Sequence, residues 1–205
     1  MILRLPNDSE LRFAYERDFI PAFPPTELKP LRSITSLQKR GLYEPWCLYD
    51  GEELLGEAFI WLGRPGWALL DYLCVRGDKR GGGLGKRLLQ LLKEKELGRA
   101  IIIESELPEW AEDPGLAVRR LGFYERCGAY RAAYDSELFG VPYATLYLAP
   151  APVPSDSVCA AHHDLYASAL NETLMRRYVR IPRAPGPPEK VEWGHGGAIA
   201  ERKNR

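Results

Sequence analysis

Arg80-Gly81-Gly82-Gly83-Leu84-Gly85-Lys86 is the most informative stretch of the sequence, because it stands between a predicted strand and a predicted helix. Glycines at such a junction let backbone N–H groups approach an anion closely, and the helix that follows directs the positive end of its dipole at the same point. Cationic side chains are concentrated around it, namely Arg76, Lys79, Arg80, Lys86 and Arg87. The stretch therefore predicts a binding site for a diphosphate group.

Two other phosphate-binding loops do not fit this spacing. A Walker A loop requires glycine at the position of Arg80 and Ser or Thr at the position of Arg87. A dinucleotide-binding G-x-G-x-x-G loop that began at Gly81 would require glycine at the position of Lys86. A ligand-free turn is also disfavoured, because three consecutive glycines lower stability unless the backbone needs their freedom.

The segments on either side of the loop predict a mixed α/β (α+β) fold. Apolar runs bounded by turn residues indicate strands over 2–5, 46–49, 54–62, 67–75, 101–103, 130–137 and 143–148. Helices are predicted after Asn7, over 26–40 with Pro30 confining or delaying the start, from Leu84 to about Gly98, over 117–127 and over 158–178. The helix between strands 67–75 and 101–103 makes these two strands parallel neighbours in an otherwise antiparallel sheet.

Three features together resemble a known family. The spacing Arg80-x-x-Gly83-x-Gly85 is similar to the signature [R/Q]-x-x-G-x-[G/A] of the GNAT (GCN-type N-acetyltransferase) superfamily. The strand at 69–75 and the segment at 121–129, LGFYERCGA, resemble the family's preceding strand and its tyrosine-bearing helix. The resemblance covers roughly residues 1–148. It implies a GNAT acetyltransferase domain over 1–149, a mostly antiparallel central sheet flanked by helices, and transfer of an acetyl group from acetyl-CoA to a primary amine.

The resemblance also implies roles for individual residues. The backbone of Leu73, Cys74 and Val75 would pair with the pantetheine arm of acetyl-CoA, as an added strand would. The pyrophosphate would be held by the whole loop, which comprises Arg80, Gly81, Gly82, Gly83, Leu84, Gly85 and Lys86. Tyr124 matches the tyrosine that gives a proton to the departing thiolate. Ala117 departs from the pattern, because many members carry Asn there, and Arg120 is a candidate replacement for the lost contact.

The general base stays open at this level. Glu104 directly follows the isoleucine strand and is the first candidate, with Glu57, Glu106 and water as alternatives. A second function is therefore also considered, namely a GNAT-like coenzyme-binding module that serves regulation or assembly without turnover. The acceptor, whether a small molecule or a peptide, is not identified by any motif.

Composition and charge exclude several classes of protein. The 28 basic and 28 acidic residues balance, so no overall field attracts nucleic acid or an anionic membrane. The first residues, MILRLP, lack the pattern of a signal peptide, and four scattered cysteines indicate reduced thiols, so a cytoplasmic location is expected. Cys159, His162 and His163 lack the ligand spacing of a zinc site, and no metal is expected; this segment is interpreted as a surface helix.

The C-terminal part is predicted as an addition to the domain. Residues 150–181 are interpreted as a linker and one helix, and residues 182–205 as a mobile tail rich in Pro, Gly and charge. Apolar residues follow one stripe of that helix, at Leu165, Ala169, Leu170, Leu174 and Tyr178. Because this stripe needs a partner, either the same chain or a second copy in a homodimer is expected to cover it.

Overall fold

The computed structural model describes residues 1–25 and 27–188. In chain order the strands are β1 (Ile2–Arg4), β2 (Tyr43–Asp50), β3 (Glu53–Leu62), β4 (Trp67–Val75), β5 (Ala100–Glu106), β6 (Tyr130–Leu138), β7 (Val141–Leu148) and β8 (Val179–Arg180). The α-helices are α1 (Asp8–Ala14), α2 (Ile20–Ala22), α3 (Leu31–Lys39), α4 (Leu84–Lys95), α5 (Pro114–Arg126), α6 (Ser155–Ala167) and α7 (Glu172–Tyr178). A π-helical turn, Tyr15–Phe19, joins α1 to α2.

The strands form one mixed sheet in the order β1-β2-β3-β4-β5-β7-β6-β8. The predicted parallel pair is confirmed, since β4 and β5 run parallel with Trp67 opposite Ala100 and Leu70 opposite Ile103. The pairs β1–β2, β2–β3, β5–β7, β6–β7 and β6–β8 are antiparallel. The predicted fold class, a mostly antiparallel sheet flanked by helices, is therefore confirmed.

The described chain forms two compact units. The first comprises Met1–Trp61 with Tyr72–Lys95, and the second comprises Leu62–Asp71 with residues 96–188. Strand β4 contributes residues to both units. No helix of the described residues is long and apolar enough to cross a bilayer.

Local signals in the first unit determine where its helices begin. Asn7 caps α1 by accepting hydrogen bonds from the backbone of Ser9 and Glu10, and the Glu10 carboxylate accepts one from the Asn7 N–H in return. Helix α3 begins only at Leu31, because Pro30 is held in an extended conformation as its N-cap. Of the helix predicted over 26–40, residues 27–30 are not helical, which is the delayed start that Pro30 was expected to impose, and Thr26 itself lies outside the described residues.

Tyr72 ties the loop before α3 to strand β4 in the first unit. Its hydroxyl donates to the Glu27 carbonyl at 2.8 Å and accepts from the Lys29 N–H at 2.8 Å. Its ring packs against Phe19 and Phe59, with centroids 5.3 Å and 6.5 Å away. One side chain of β4 thus fixes a loop that lacks regular structure.

The C-terminal helix differs from its prediction in the second unit. The single helix predicted over 158–178 is two helices, α6 and α7, with a break over 168–171. Asn171 causes the second start, because its side chain accepts a hydrogen bond from the Leu174 N–H at 2.9 Å and caps α7. Residues 182–188 form no helix or strand, and the rest of the predicted tail, 189–205, lies outside the described residues.

Gly56 provides a test of how closely β3 approaches β4 in the first unit. A Cβ atom at this position would lie 2.6 Å from the Cys74 carbonyl oxygen and 3.3 Å from the Val75 Cα. We expect Gly56→Ala to lower the free energy of unfolding by about 1–3 kcal/mol, because backbone cannot move aside cheaply. Urea unfolding followed by circular dichroism measures this.

Gly77→Ala is the matched control for Gly56→Ala. A Cβ at Gly77 meets nothing within 4 Å, and its φ is not in the left-handed region. We expect the control to unfold within about 0.5 kcal/mol of the wild type. Equal stability of the two variants would contradict the close approach at Gly56.

Candidate functional site

The connection from β4 to α4 presents an open backbone at a helix N-terminus. A short 3-10 turn, Gly77–Lys79, leads to Arg80, and α4 begins at Leu84. Gly81 and Gly83 have φ values of 85° and 78°, in the region that side chains disfavour, and a Cβ at either would meet nothing within 4 Å. The turn therefore needs these two glycines, and they keep the space above the backbone clear.

Positive charge around this turn is partly paired and partly available. Arg76 contacts Glu53 and Asp78, each at 2.6 Å, and Lys79 lies 3.2 Å from Glu53. Arg80 is exposed and donates from Nε to the Val75 carbonyl at 3.1 Å. Lys86 and Arg87 are exposed as well, and neither forms an ion pair with a described residue. Their charge is thus available to a ligand at the start of α4.

A cleft of about 620 Å³ opens beside this turn in the first unit. Its walls include Arg17, Asp18, Cys74, Val75, Arg76 and Arg80. Burial raises the pKa of the Cys74 thiol to about 12, and the neighbouring acidic groups add to this. The thiol is therefore neutral near pH 7, which agrees with a packing role for this side chain.

Glu57 is a buried carboxyl group with no hydrogen-bond partner among the described residues. It lies on β3 opposite Cys47, and its side chain is inaccessible to solvent. Burial raises its pKa to about 10, helped by the nearby charge of Asp18. Arg17 satisfies Asp18 instead, with contacts from Nε at 3.0 Å and from the terminal nitrogen at 2.5 Å. Glu57 is thus a neutral acid near pH 7 and a poor proton acceptor.

Glu104 has a different environment in the second unit. Its Oε1 lies 2.6 Å from His162 Nε2 and accepts a hydrogen bond from the Tyr166 hydroxyl at 3.0 Å. The same hydroxyl lies 3.2 Å from Oε2. The side chain of Glu104 is 15% exposed, whereas that of His162 is fully buried. This carboxylate is held by donors and still reaches solvent.

The sequence interpretation missed His162. The segment that includes it was predicted to be a surface helix, but only His163 is exposed and His162 is fully buried on α6. The signal was present in the spacing, because His162 and Tyr166 are four residues apart and share a face with the buried Val158. Their partner on β5, however, is remote in sequence and could not be read from that spacing.

Tyr124 lies in the last turn of α5, in the second unit. Its side chain is partly buried, and its hydroxyl forms no hydrogen bond with the described residues. Burial raises its pKa to about 12, while Arg120 nearby acts in the opposite direction. The hydroxyl therefore keeps its proton throughout the ordinary pH range.

Glu106 and Arg120 are paired with each other. Arg120 donates to Glu106 at 3.0 Å, so Glu106 is neutralised by a cation and Arg120 is already engaged. Ala117, one turn earlier on α5, is buried. The structure thus assigns Arg120 a partner within the chain.

Comparison with known proteins identifies the class to which these elements belong. Residues 42–128 match the family model described as an acetyltransferase (GNAT) domain. No curated protein matches the chain by sequence. The predicted resemblance is confirmed: the segment 42–128, which includes the glycine turn, Glu104 and Tyr124, is similar to a GNAT acetyltransferase domain.

Solved structures agree with this fold. A GNAT-family protein from Bacteroides thetaiotaomicron has a TM-score of 0.65 and 23% identity, covering 79% of this chain and 94% of its own. The ribosomal-protein-S18-alanine N-acetyltransferase of Escherichia coli has a TM-score of 0.56 and 18% identity, over 76% of this chain and 97% of its own. Spermidine N-acetyltransferase from Vibrio cholerae, solved with CoA and spermine, has a TM-score of 0.53 and 11% identity, over 72% of this chain and 94% of its own.

The protonation of Glu57 predicts a specific pH dependence of stability. Its pKa is about 10 in the folded chain against 4.5 for the reference group, so the folded state holds a proton that the unfolded state releases. The contribution of Glu57 to stability is therefore complete below pH 4.5 and declines as the pH rises towards 10. The decline is at most about 1.4 kcal/mol per pH unit.

Glu57→Gln removes this titration while it keeps the shape of the side chain. We expect the stability of the variant relative to the wild type to increase steadily from pH 5 to pH 9, as measured by urea unfolding at each pH. A difference that stays constant over this range would show that Glu57 is ionised in the folded protein.

Proposed function

We propose that this protein transfers an acetyl group from acetyl-CoA to a primary amine of a small molecule or a peptide. The observation that carries the proposal is the open glycine turn at the N-terminus of α4, within the GNAT domain. Two left-handed glycines leave backbone N–H groups accessible there, and the helix dipole favours an anion. Arg80, Lys86 and the backbone of the turn would hold the pyrophosphate of acetyl-CoA.

The pantetheine arm would lie along the end of β4. The register between β4 and β5 ends at Leu70 and Ile103, whereas β4 continues to Val75. In our proposal the backbone of Leu73, Cys74 and Val75 pairs with the arm, as an added strand pairs with a sheet edge. Such pairing uses main-chain groups, so it does not depend on the identity of these side chains.

The reaction requires two proton transfers. The acceptor must lose a proton so that its nitrogen lone pair can attack the thioester carbonyl carbon, and the carbon–sulfur bond then breaks to release a thiolate. In our proposal Glu104 accepts the proton of the ammonium, and Tyr124 donates a proton to the thiolate. Three observations favour Glu104 over the other carboxylates. Glu57 is neutral, Glu106 is paired with Arg120, and Glu104 is held by donors yet partly exposed.

The acceptor class is supported by the names of similar structures. The Escherichia coli protein is named for an alanine of a ribosomal protein, and the Vibrio cholerae protein is named for spermidine and was solved with spermine. Both acceptors present amines. Peptides with N-terminal alanine and polyamines are therefore the first two classes of acceptor to test.

Gly83→Glu tests the binding of acetyl-CoA. The new carboxylate would place like charge where the pyrophosphate is proposed to lie, so we expect the Kd for acetyl-CoA to rise at least about 100-fold in calorimetry. Gly41→Glu is the matched control. Gly41 also has a left-handed φ, 69°, and also meets nothing within 4 Å, but it follows α3.

The control variant separates backbone strain from charge at the turn. Gly41→Glu should bind acetyl-CoA as tightly as the wild type. If Gly83→Glu also binds normally, the glycine turn does not hold the pyrophosphate, and the proposed function loses its main support.

Tyr124→Phe tests the proton donor. The ring is kept and only the hydroxyl is lost, so we expect acetyl-CoA to bind within about threefold and kcat to fall by ~10²-fold or more. Because the pKa of Tyr124 is raised to about 12, the wild-type rate should show no decline between pH 7 and pH 10 from ionisation of this group. Stopped-flow detection of the released thiol with the best acceptor measures both. Wild-type turnover by Tyr124→Phe would leave the residue a packing role only.

A further inference from the structure

The carboxylate of Glu104 is the acceptor in each of its side-chain hydrogen bonds to described residues. The Tyr166 hydroxyl donates to Oε1 at 3.0 Å, and His162 Nε2 lies 2.6 Å from the same oxygen. An ionised carboxylate only accepts hydrogen bonds, so Nε2 must carry the proton in this arrangement. Oε1 is thus engaged by two donors, and among the residues that the structure describes Oε2 has only the longer contact of 3.2 Å to the Tyr166 hydroxyl.

The other nitrogen of His162 is fixed by a second tyrosine. Nδ1 lies 3.1 Å from the hydroxyl of Tyr134 on β6. With Nε2 as the donor to Glu104, the tautomer that fits both contacts is the one that accepts the Tyr134 proton at Nδ1. Since His162 is fully buried, the ring cannot turn away into solvent. The hydrogen bond from Tyr134 to His162 and the one from His162 to Glu104 are therefore both donated in the direction of Glu104.

Glu104 occupies a particular position on β5. The ladder with β4 ends at the pair Leu70–Ile103, and Glu104 is the next residue after it. It continues to pair with β7, opposite Thr145. The backbone of Glu104 is therefore held by β7 at a point where the ladder between β4 and β5 has ended.

The two donors come from outside the matched domain. His162 and Tyr166 both lie on α6, whereas the family model matches residues 42–128. Helix α6 is anchored independently of them, because Arg64 contacts Asp164 at 3.0 Å. Both donors therefore lie on a helix that has other contacts to hold it in place.

We propose that His162 and Tyr166 are positioning residues that orient Glu104, so that Oε2 is presented to the ammonium of the acceptor. This inference rests on the proposed function and extends its site to the C-terminal helix. The acceptor ammonium gives one proton to Glu104 Oε2 and becomes the neutral amine, while His162 and Tyr166 keep their protons. Other titratable groups near this cluster are Asp71 on β4, Tyr134 on β6 and Tyr143 on β7.

Four variants of the full chain test the proposal. His162→Leu removes the donor, and His162→Gln replaces it with an amide N–H of similar reach. Tyr166→Phe removes only a hydroxyl, and His163→Gln is the matched control at the neighbouring exposed position. The probes are acetyl-CoA with spermine and acetyl-CoA with an N-terminal-alanine peptide. The readouts are kcat and KM against pH, the Kd for acetyl-CoA, and the melting temperature.

We expect His162→Leu and Tyr166→Phe to lower kcat about 10-fold or more, with KM and the Kd for acetyl-CoA within about threefold. His162→Gln should recover most of the rate, and His163→Gln should behave as the wild type. The rate loss should persist at temperatures well below the melting transition of each variant.

Three outcomes overturn the inference in distinguishable ways. Unchanged kcat and pH profile in both His162→Leu and Tyr166→Phe would show that the cluster is structural, while the proposed function stands. If the wild type binds acetyl-CoA but acetylates neither probe amine, the proposed acceptor classes are wrong and the positioning role is wrong with them. A rate that falls equally in His162→Gln and His162→Leu would also count against a donor role.

Discussion

The parallel pairing of β4 with β5 is the constraint on which the rest of the structure depends. Two strands that run the same way cannot be joined by a tight hairpin, so the chain must travel back before it enters the second strand. Helix α4 makes that return, and it starts only after the turn that follows β4. That turn is built with left-handed glycines. The open helix N-terminus is therefore placed at the end of β4 by topology, before any ligand is considered.

The sequence predicted β4, the glycine turn and the parallel pairing of β4 with β5 well, because the sequence signals for these features are local. The bounds of β4 follow from an almost continuous apolar run between two turns, and the structure places them at the predicted Trp67 and Val75. The glycine turn was located by spacing alone, and the parallel neighbour followed from the length of the connection. Even the delayed start of α3 was foreseeable, since Pro30 restricts the residues around it.

The parts that could not be predicted depend on contacts between distant segments. An apolar stripe continued through residues 168–171, so the sequence favoured one helix, but the Asn171 side chain caps a new one. His162 was interpreted as a surface residue because its spacing from Val158 and Tyr166 shows a shared helix face but not the strand that buries this face. Its partner Glu104 lies 58 residues earlier. Spacing on a helix shows which residues share a face, but not which strand that face will meet.

Three glutamates were candidates for the base in sequence, with Glu104 first, and their surroundings make them chemically different. Burial without a hydrogen-bond donor converts Glu57 into a neutral acid, because the nearby Arg17 charge offsets only a small part of the cost of burying a carboxylate. Glu106 keeps its charge but shares it with Arg120. Glu104 is held by uncharged or weakly basic donors, which stabilise a carboxylate without neutralising it as an arginine does.

This contrast explains why α6 matters to a domain that the family model ends at residue 128. A base must be ionised before the reaction and must still be able to accept a proton during it. In our proposal the two hydrogen bonds to Oε1 orient the carboxylate for the first condition, and Oε2 accepts the proton of the acceptor for the second. Because both donors sit on one face of one helix, a shift of α6 would weaken both hydrogen bonds together. The chemistry proposed for the domain is thus tied to the docking of a helix outside it.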